Sequence, residues 1–310
     1  MNKNNIDAAL NFNPSDVGAV NGNLFGLPFT YEQANVVIIP VPWEVTVSYR
    51  AGTALGPQAV LEASPQLDLY HFDYPDAWKK GLYMLPVNQT WYANNKKYRQ
   101  MAAGYIKSLE EGQIAADNES LQQLCATINK ACTNLKNEVH EQCKNIIADN
   151  KIVGILGGDH STPLGLIEAL GEQYNDFGIL QIDAHADLRE SYEDFTYSHA
   201  SIMYNALKCK QVSKLVSVGV RDICHDEIAF TEQAKGRIVA YYDYAIKKEV
   251  YLEQTKTWAN LCQEIVANLP QLVYLSFDID GLDPKLCPNT GTPVMGGLQW
   301  HEAQYLIKCV

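Results

Sequence analysis

Apolar and polar positions alternate along this chain in two distinct periods. Short runs rich in β-branched residues occur at Asn35–Val41, Lys151–Leu156, Phe177–Ile182, Lys214–Val220 and Gln271–Phe277, with Arg237–Tyr242 as a further candidate. Runs of this length, bounded by turn-forming sequence, predict buried strands. Helical spacing covers Gly56–Ala63, where Pro57 suits a first turn, and then Tyr98–Glu110 and Leu121–Ala148. In the last of these, Leu121, Leu124, Ile128, Leu135, Val139 and Ile146 form an inner stripe opposite a charged face. Thr162–Gly171, Glu249–Asn268 and Gln299–Val310 are also expected to be helical. Strands alternating with helices imply an α/β fold with a mostly parallel sheet covered on both faces. Residues 1–33, rich in Asn and Gly, read as an N-terminal arm or lid. The chain shows no internal repeat, low-complexity tract or linker, so residues 34–310 are expected to form one domain.

Composition narrows the picture. With 310 residues and 47% hydrophobic residues the chain can build a large core. Lys plus Arg number 24 against 36 Asp plus Glu, a net charge of −12. Such a surface repels nucleic-acid backbones and suits a small cationic substrate. The eight cysteines form no CxxC pair and fit no disulfide or zinc-ribbon framework, as expected for reduced thiols in the cytoplasm. The N-terminal stretch lacks the apolar core of a signal peptide, and no apolar run approaches the ~20 residues that span a bilayer. A cytoplasmic protein with no membrane partner is therefore expected.

Three of the predicted strands run into unusual polar groups. Lys151–Leu156 leads into Gly157-Gly158-Asp159-His160-Ser161, Phe177–Ile182 into Asp183-Ala184-His185-Ala186-Asp187, and Gln271–Phe277 into Asp278-Ile279-Asp280-Gly281. Sites in parallel sheets form at the carboxyl ends of strands. If the chain stays extended, Asp183, His185 and Asp187 face one way, as do Asp278 and Asp280. So many carboxylates and imidazoles gathered in one place require cations among them. Four Asp and two His match two divalent ions, with −4 balanced by +4. Oxygen-rich ligation with some imidazole favours Mn²⁺ over structural Zn²⁺, and leaves Ni²⁺ or iron open. Read singly, each motif has an ordinary explanation: a turn, a helix cap at Ser161, a packed histidine. Together they point to a two-metal hydrolase.

These three motifs, in this order, resemble the signatures of the ureohydrolase (arginase/agmatinase) family, over roughly Asn35 to the end of the chain. The resemblance implies a three-layer αβα arginase-type fold, a binuclear manganese centre, and hydrolysis of a guanidinium group to urea and an amine. It implies His160, Asp183, Asp187 and Asp278 as ligands of one ion and Asp183, His185, Asp278 and Asp280 as ligands of the other, with Asp183 and Asp278 bridging. Asp187 is thereby part of the catalytic centre as well. His199, in Tyr197-Ser198-His199-Ala200, matches the family histidine that passes a proton to the leaving amine, a role suited to imidazole. Thr292, in Thr290-Gly291-Thr292-Pro293, matches a threonine near the substrate. The resemblance further implies a homo-oligomer, trimer or hexamer.

Within the family the likeness is to agmatinases. Ser48-Tyr49-Arg50-Ala51-Gly52 resembles their substrate-side loop, and Asp187 to His199 resembles their sequence more than that of arginases, which hold the amino-acid head of arginine with an Asn-rich segment. Trp43 stands where agmatinases usually have Phe. Agmatine is the expected substrate, with free guanidine, a guanidino acid or formimidoylglutamate as alternatives. The family continues beyond the last motif into a strand bearing a glutamate that clamps the guanidinium. No residue up to Val310 matches it, so the chain is expected to be truncated at its C-terminus. A metal-binding homologue with little activity is the competing expectation. A binuclear phosphatase is a more distant one.

Overall fold

In the computed structural model, which describes residues 11–310, the predicted runs form two sheets in which every strand pairing is parallel. The chain divides into two compact units, residues 1–46 with 51–166 and residues 47–50 with 167–310. Residues 1–10 of the expected arm lie outside the described residues.

The first unit contains β1 (Val36–Val41), α1 (Gly56–Ala63), β2 (Leu82–Met84), α2 (Gln89–Glu110), α3 (Glu119–Ala148) and β3 (Ile152–Gly157), with strand order β2-β1-β3. Helix α2 begins nine residues before its predicted start because Asn88 caps it, its side chain accepting from the Thr90 and Trp91 N–H groups. Asn118 does the same for α3. The expected stripe of α3 is turned inward, with Ile128 and Val139 fully buried. Strand β2 escaped sequence reading because three residues carry no period. Part of the arm packs on this unit. Leu27 and Phe29 are buried in a cluster with Ala34, and the Asn23 side chain donates to the Leu82 carbonyl and accepts from the Met84 N–H.

Helix α4 (Leu164–Gln173) carries the boundary. The second unit contains β4 (Phe177–Ile182), α5 (Ile202–Ala206), β5 (Val212–Val218), α6 (His225–Gln233), β6 (Ile238–Tyr241), α7 (Asp243–Lys247), α8 (Trp258–Ala267), β7 (Val273–Phe277) and α9 (Trp300–Cys309), with strand order β6-β5-β4-β7. All six residues of β4 are buried. Since successive side chains point to opposite faces, both faces of the sheet are covered. One face packs Leu180, Ile182, Val216 and Val218 against Ile246 of α7, Leu261 and Ile265 of α8, and Leu306 of α9. The single helix expected over Glu249–Asn268 is interrupted. A π-helical turn at Lys248–Leu252 follows α7, Gln254 adopts a left-handed φ of 53°, and Thr257 caps a new helix. Among the described residues, no helix is long and apolar enough to cross a membrane.

Candidate metal centre

Strands β4 and β7 lie side by side, with Ile182 opposite Phe277, so their carboxyl ends open at the same place. The approach is close. A Cβ on Gly281 would sit 2.7 Å from the Asp183 nitrogen and 2.9 Å from Ile182 Cγ2, so only glycine fits there. The Asp278 N–H donates to the Ile182 carbonyl (2.9 Å), which carries the pairing one step past β7.

Here Asp183, His185 and Asp280 come together, each offering a ligand atom within 4.8 Å of the others. The same imidazole nitrogen, His185 Nδ1, lies 3.2 Å from Asp280 Oδ2 and 3.5 Å from Asp183 Oδ1. Asp183 is 1% exposed and Asp280 4%. Burial pushes the Asp280 carboxyl upward, and the neighbouring Asp183 charge adds to it. Burial works against the charged form of His185, but the Asp183 and Asp280 carboxylates overcome it and raise the imidazole to about 11. Both shifts point the same way: without a metal, this cluster keeps a proton between its carboxylates. A divalent cation, bound by two carboxylate oxygens and a neutral imidazole, is the group this donor set fits.

Backbone donors hold these side chains in place. Asp183 Oδ1 accepts the His185 N–H at 2.7 Å, and Asp280 Oδ1 accepts the Ala184 N–H at 3.0 Å. Asp278 and Asp280 are not on an extended strand as the spacing suggested. Ile279–Gly281 is a 3₁₀ turn capped by Asp278, whose side chain accepts the Asp280 N–H at 3.1 Å. An aspartate at a strand end readily caps the turn that follows, and this overrides the alternation.

The other predicted residues are placed as follows. His160 ends the β3 loop of the first unit. There a Cβ on Gly158 would lie 1.8 Å from the Trp43 oxygen, and the Asp159 side chain closes the turn by accepting the Ser161 N–H at 2.9 Å, five residues before the helix begins at Leu164. Asp187 is buried and left-handed (φ 56°), which ends the extended run after His185; its carbonyl accepts the Met203 and Tyr204 N–H groups at the start of α5. His199 opens a 3₁₀ turn capped by Ser198, with its ring edge-on to Tyr192 at 5.9 Å. Thr292 lies half-buried in the loop after β7. Arg50 donates to the Pro288 carbonyl in that same loop (3.4 Å).

Two residues not predicted from the sequence shape this end of the sheet. Arg221, after β5, donates to the carbonyls of Gly219, Asp280, Leu282 and Val294, at 2.6–3.2 Å. It thereby ties the segment bearing Asp280 to the chain after β5, two strands away from β7. Burial lowers its pKa against the pull of nearby carboxylates. Glu227, buried at the first turn of α6, accepts the Leu188 N–H (3.0 Å) and the Cys224 N–H (3.0 Å), anchoring the chain just past Asp187. Arg221 carries no local signal, since most of its bonds reach backbone distant in sequence, whereas Glu227 stands three residues after Cys224, the spacing of a capping box, which is the one local signal for it.

The sequence model of the Arginase family matches residues 34–310. The chain belongs to the arginase family. It is similar to a protein of Thermus thermophilus named N(1)-aminopropylagmatine ureohydrolase, 32% identical over 90% of this chain and 79% of that one. It is also similar to an agmatinase of Halalkalibacterium halodurans, 27% identical over 88% of this chain and 77% of that one. Among solved structures it resembles the agmatine ureohydrolase of Thermoplasma volcanium, with a TM-score of 0.67 at 21% identity, covering 98% of this chain and 85% of that one. The arginase of Bacillus cereus gives 0.62 at 20% identity, covering 89% and 85%. These neighbours bear out the expected three-layer α/β fold. Family membership makes the chain a ureohydrolase, a hydrolase of guanidino C–N bonds.

Proposed function

We propose that this protein hydrolyses a linear guanidinium-bearing polyamine, agmatine first among candidates, to urea and an amine at a binuclear manganese centre. The observation that carries this reading is the convergence of Asp183, His185 and Asp280 at the adjoining ends of β4 and β7. The ligand set implied by the motifs adds Asp187, Asp278 and His160. Divalent ions held there would supply a Lewis acid that makes water nucleophilic at neutral pH. The chain's own residues do the rest. The carboxylates would hold the ions, and His199 would hand a proton to the departing amine. Thr292 would contact the substrate from the loop after β7. A net charge of −12 favours a polycationic substrate over a zwitterionic amino acid.

The relatives named as N(1)-aminopropylagmatine ureohydrolases favour a second substrate of the same class, agmatine extended by an aminopropyl group. The test is urea release from agmatine, N1-aminopropylagmatine, arginine, guanidinobutyrate and guanidine, with Mn²⁺ or Ni²⁺ added. Agmatine or its aminopropyl derivative should be turned over at least tenfold faster than arginine. Urea from none of the five would favour a metal-binding homologue without turnover.

A further inference from the structure

We propose that Gln181, held by Ser217, is a positioning residue that sets the orientation of Asp183 and His185 for metal binding. The proposal rests on reading that cluster as a metal site. Gln181 is 0% exposed one residue before the end of β4, where both sequence neighbours, Leu180 and Ile182, are apolar. A polar amide so deep in a sheet is unfavourable unless every group is bonded. Its register partners are Ser217 on β5 and Ser276 on β7, both 2% exposed, which makes a polar row across three strands beneath the carboxylates.

The bonds along this row fix a direction. Gln181 Nε2 donates to Asp183 Oδ2 (3.1 Å) and to the His185 carbonyl (3.2 Å). Ser217 Oγ donates to Gln181 Oε1 (2.7 Å). A flipped amide would turn its oxygen toward a carboxylate and a carbonyl, two acceptors, so the nitrogen must face the site. Asp183 is then held at both oxygens, Oδ2 by Gln181 and Oδ1 by the His185 N–H. One side chain thus bridges the Asp183 carboxylate and the His185 backbone, fixing the spacing of the Asp-x-His pair. Packing alone would be served by an apolar residue of similar volume.

The test compares Gln181→Met, Ser217→Ala and the double variant with the parent chain. Two quantities are read: the Mn²⁺ dissociation constant by equilibrium dialysis, and the melting midpoint of the metal-free protein. Each single change strands a buried polar group and should lower the midpoint. The double change removes both partners of the Gln181–Ser217 bond and should restore the share of the midpoint owed to that bond, while Asp183 Oδ2 and the His185 carbonyl still lack their donor. Mn²⁺ affinity should nonetheless stay about 10–100-fold weaker in the double variant, as expected when a ligand loses its supporting hydrogen bond. Recovery of affinity together with the midpoint would overturn the proposal and leave the row a matter of core packing. If Gln181→Met does not fold, the double variant still decides. A parent chain that binds no Mn²⁺ overturns the metal reading itself, whereas a parent that binds and a double variant that binds equally overturns only the role of Gln181.

Discussion

Strand β4 is buried along its whole length, whereas its neighbour β7, at the edge of the sheet, leaves Leu275 37% and Phe277 36% exposed. Both end in carboxylates of the same cluster. On the central strand, Asp183 is oriented by its own strand, through Gln181 two residues before it and the His185 N–H two residues after it. On the edge strand, Asp280 depends on support from elsewhere: the turn capped by Asp278, the Ala184 N–H of the β4 loop, and Arg221 from beyond β5. A ligand on a central strand inherits its rigidity, and one on an edge strand has to be braced from outside.

Removing the ligand itself should have the largest effect. Asp183→Ala should weaken Mn²⁺ binding by more than the ~100-fold upper range for supporting residues, read by dialysis. Retention of parent affinity would remove Asp183 from the site. Breaking the external brace comes next. Arg221→Met forfeits its bonds to four carbonyls and should cost about 3 kcal/mol in urea unfolding. It should also speed proteolysis within 282–298, while the end of β4 stays protected. Gly281→Ala forces a methyl into the β4 backbone and should cost about 1–3 kcal/mol with a parallel loss of metal affinity. An unchanged midpoint would mean the two strand ends can separate at little cost.

The pH dependence separates the two states of the cluster. In the metal-free protein His185 is raised to about 11, against about 6.5 for an unfolded chain. The stability from that proton is complete below about pH 6.5 and is lost as pH climbs toward 11. The melting midpoint of chelator-treated protein should therefore fall across that window. With Mn²⁺ bound the imidazole is already neutral, so the fall should shrink; identical slopes would argue against metal binding at His185. The smallest effect separates the strands by burial alone. Leu180→Ala on β4 should cost about 2–5 kcal/mol, and Leu275→Ala on β7 under about 1 kcal/mol.

The same contrast explains what could be read from sequence. Strand β4 was legible to the residue, because a run of β-branched and apolar residues buried on both faces has sharp polar ends. Asp183 and His185 followed from alternation. Asp280 was expected on an extended chain, and a capped 3₁₀ turn holds it instead. Arg221 and Ser217 were silent because their roles lie in bonds between strands, which one-dimensional spacing does not encode, and Gln181, though only two residues before Asp183, was hidden inside an otherwise apolar run. The break between α7 and α8 was hidden for a local reason: no Gly or Pro marks it, and a left-handed Gln254 ends the helix instead.

The left-handed backbone of Asp187 bears on how such a protein can drift over generations. Asparagine tolerates that conformation as well as aspartate does, and a single base change in either aspartate codon produces it. Such a change preserves the turn into α5 while removing a negative charge. On the proposed function, the backbone at this position therefore selects for the shape of the side chain and leaves its charge to be selected by chemistry alone.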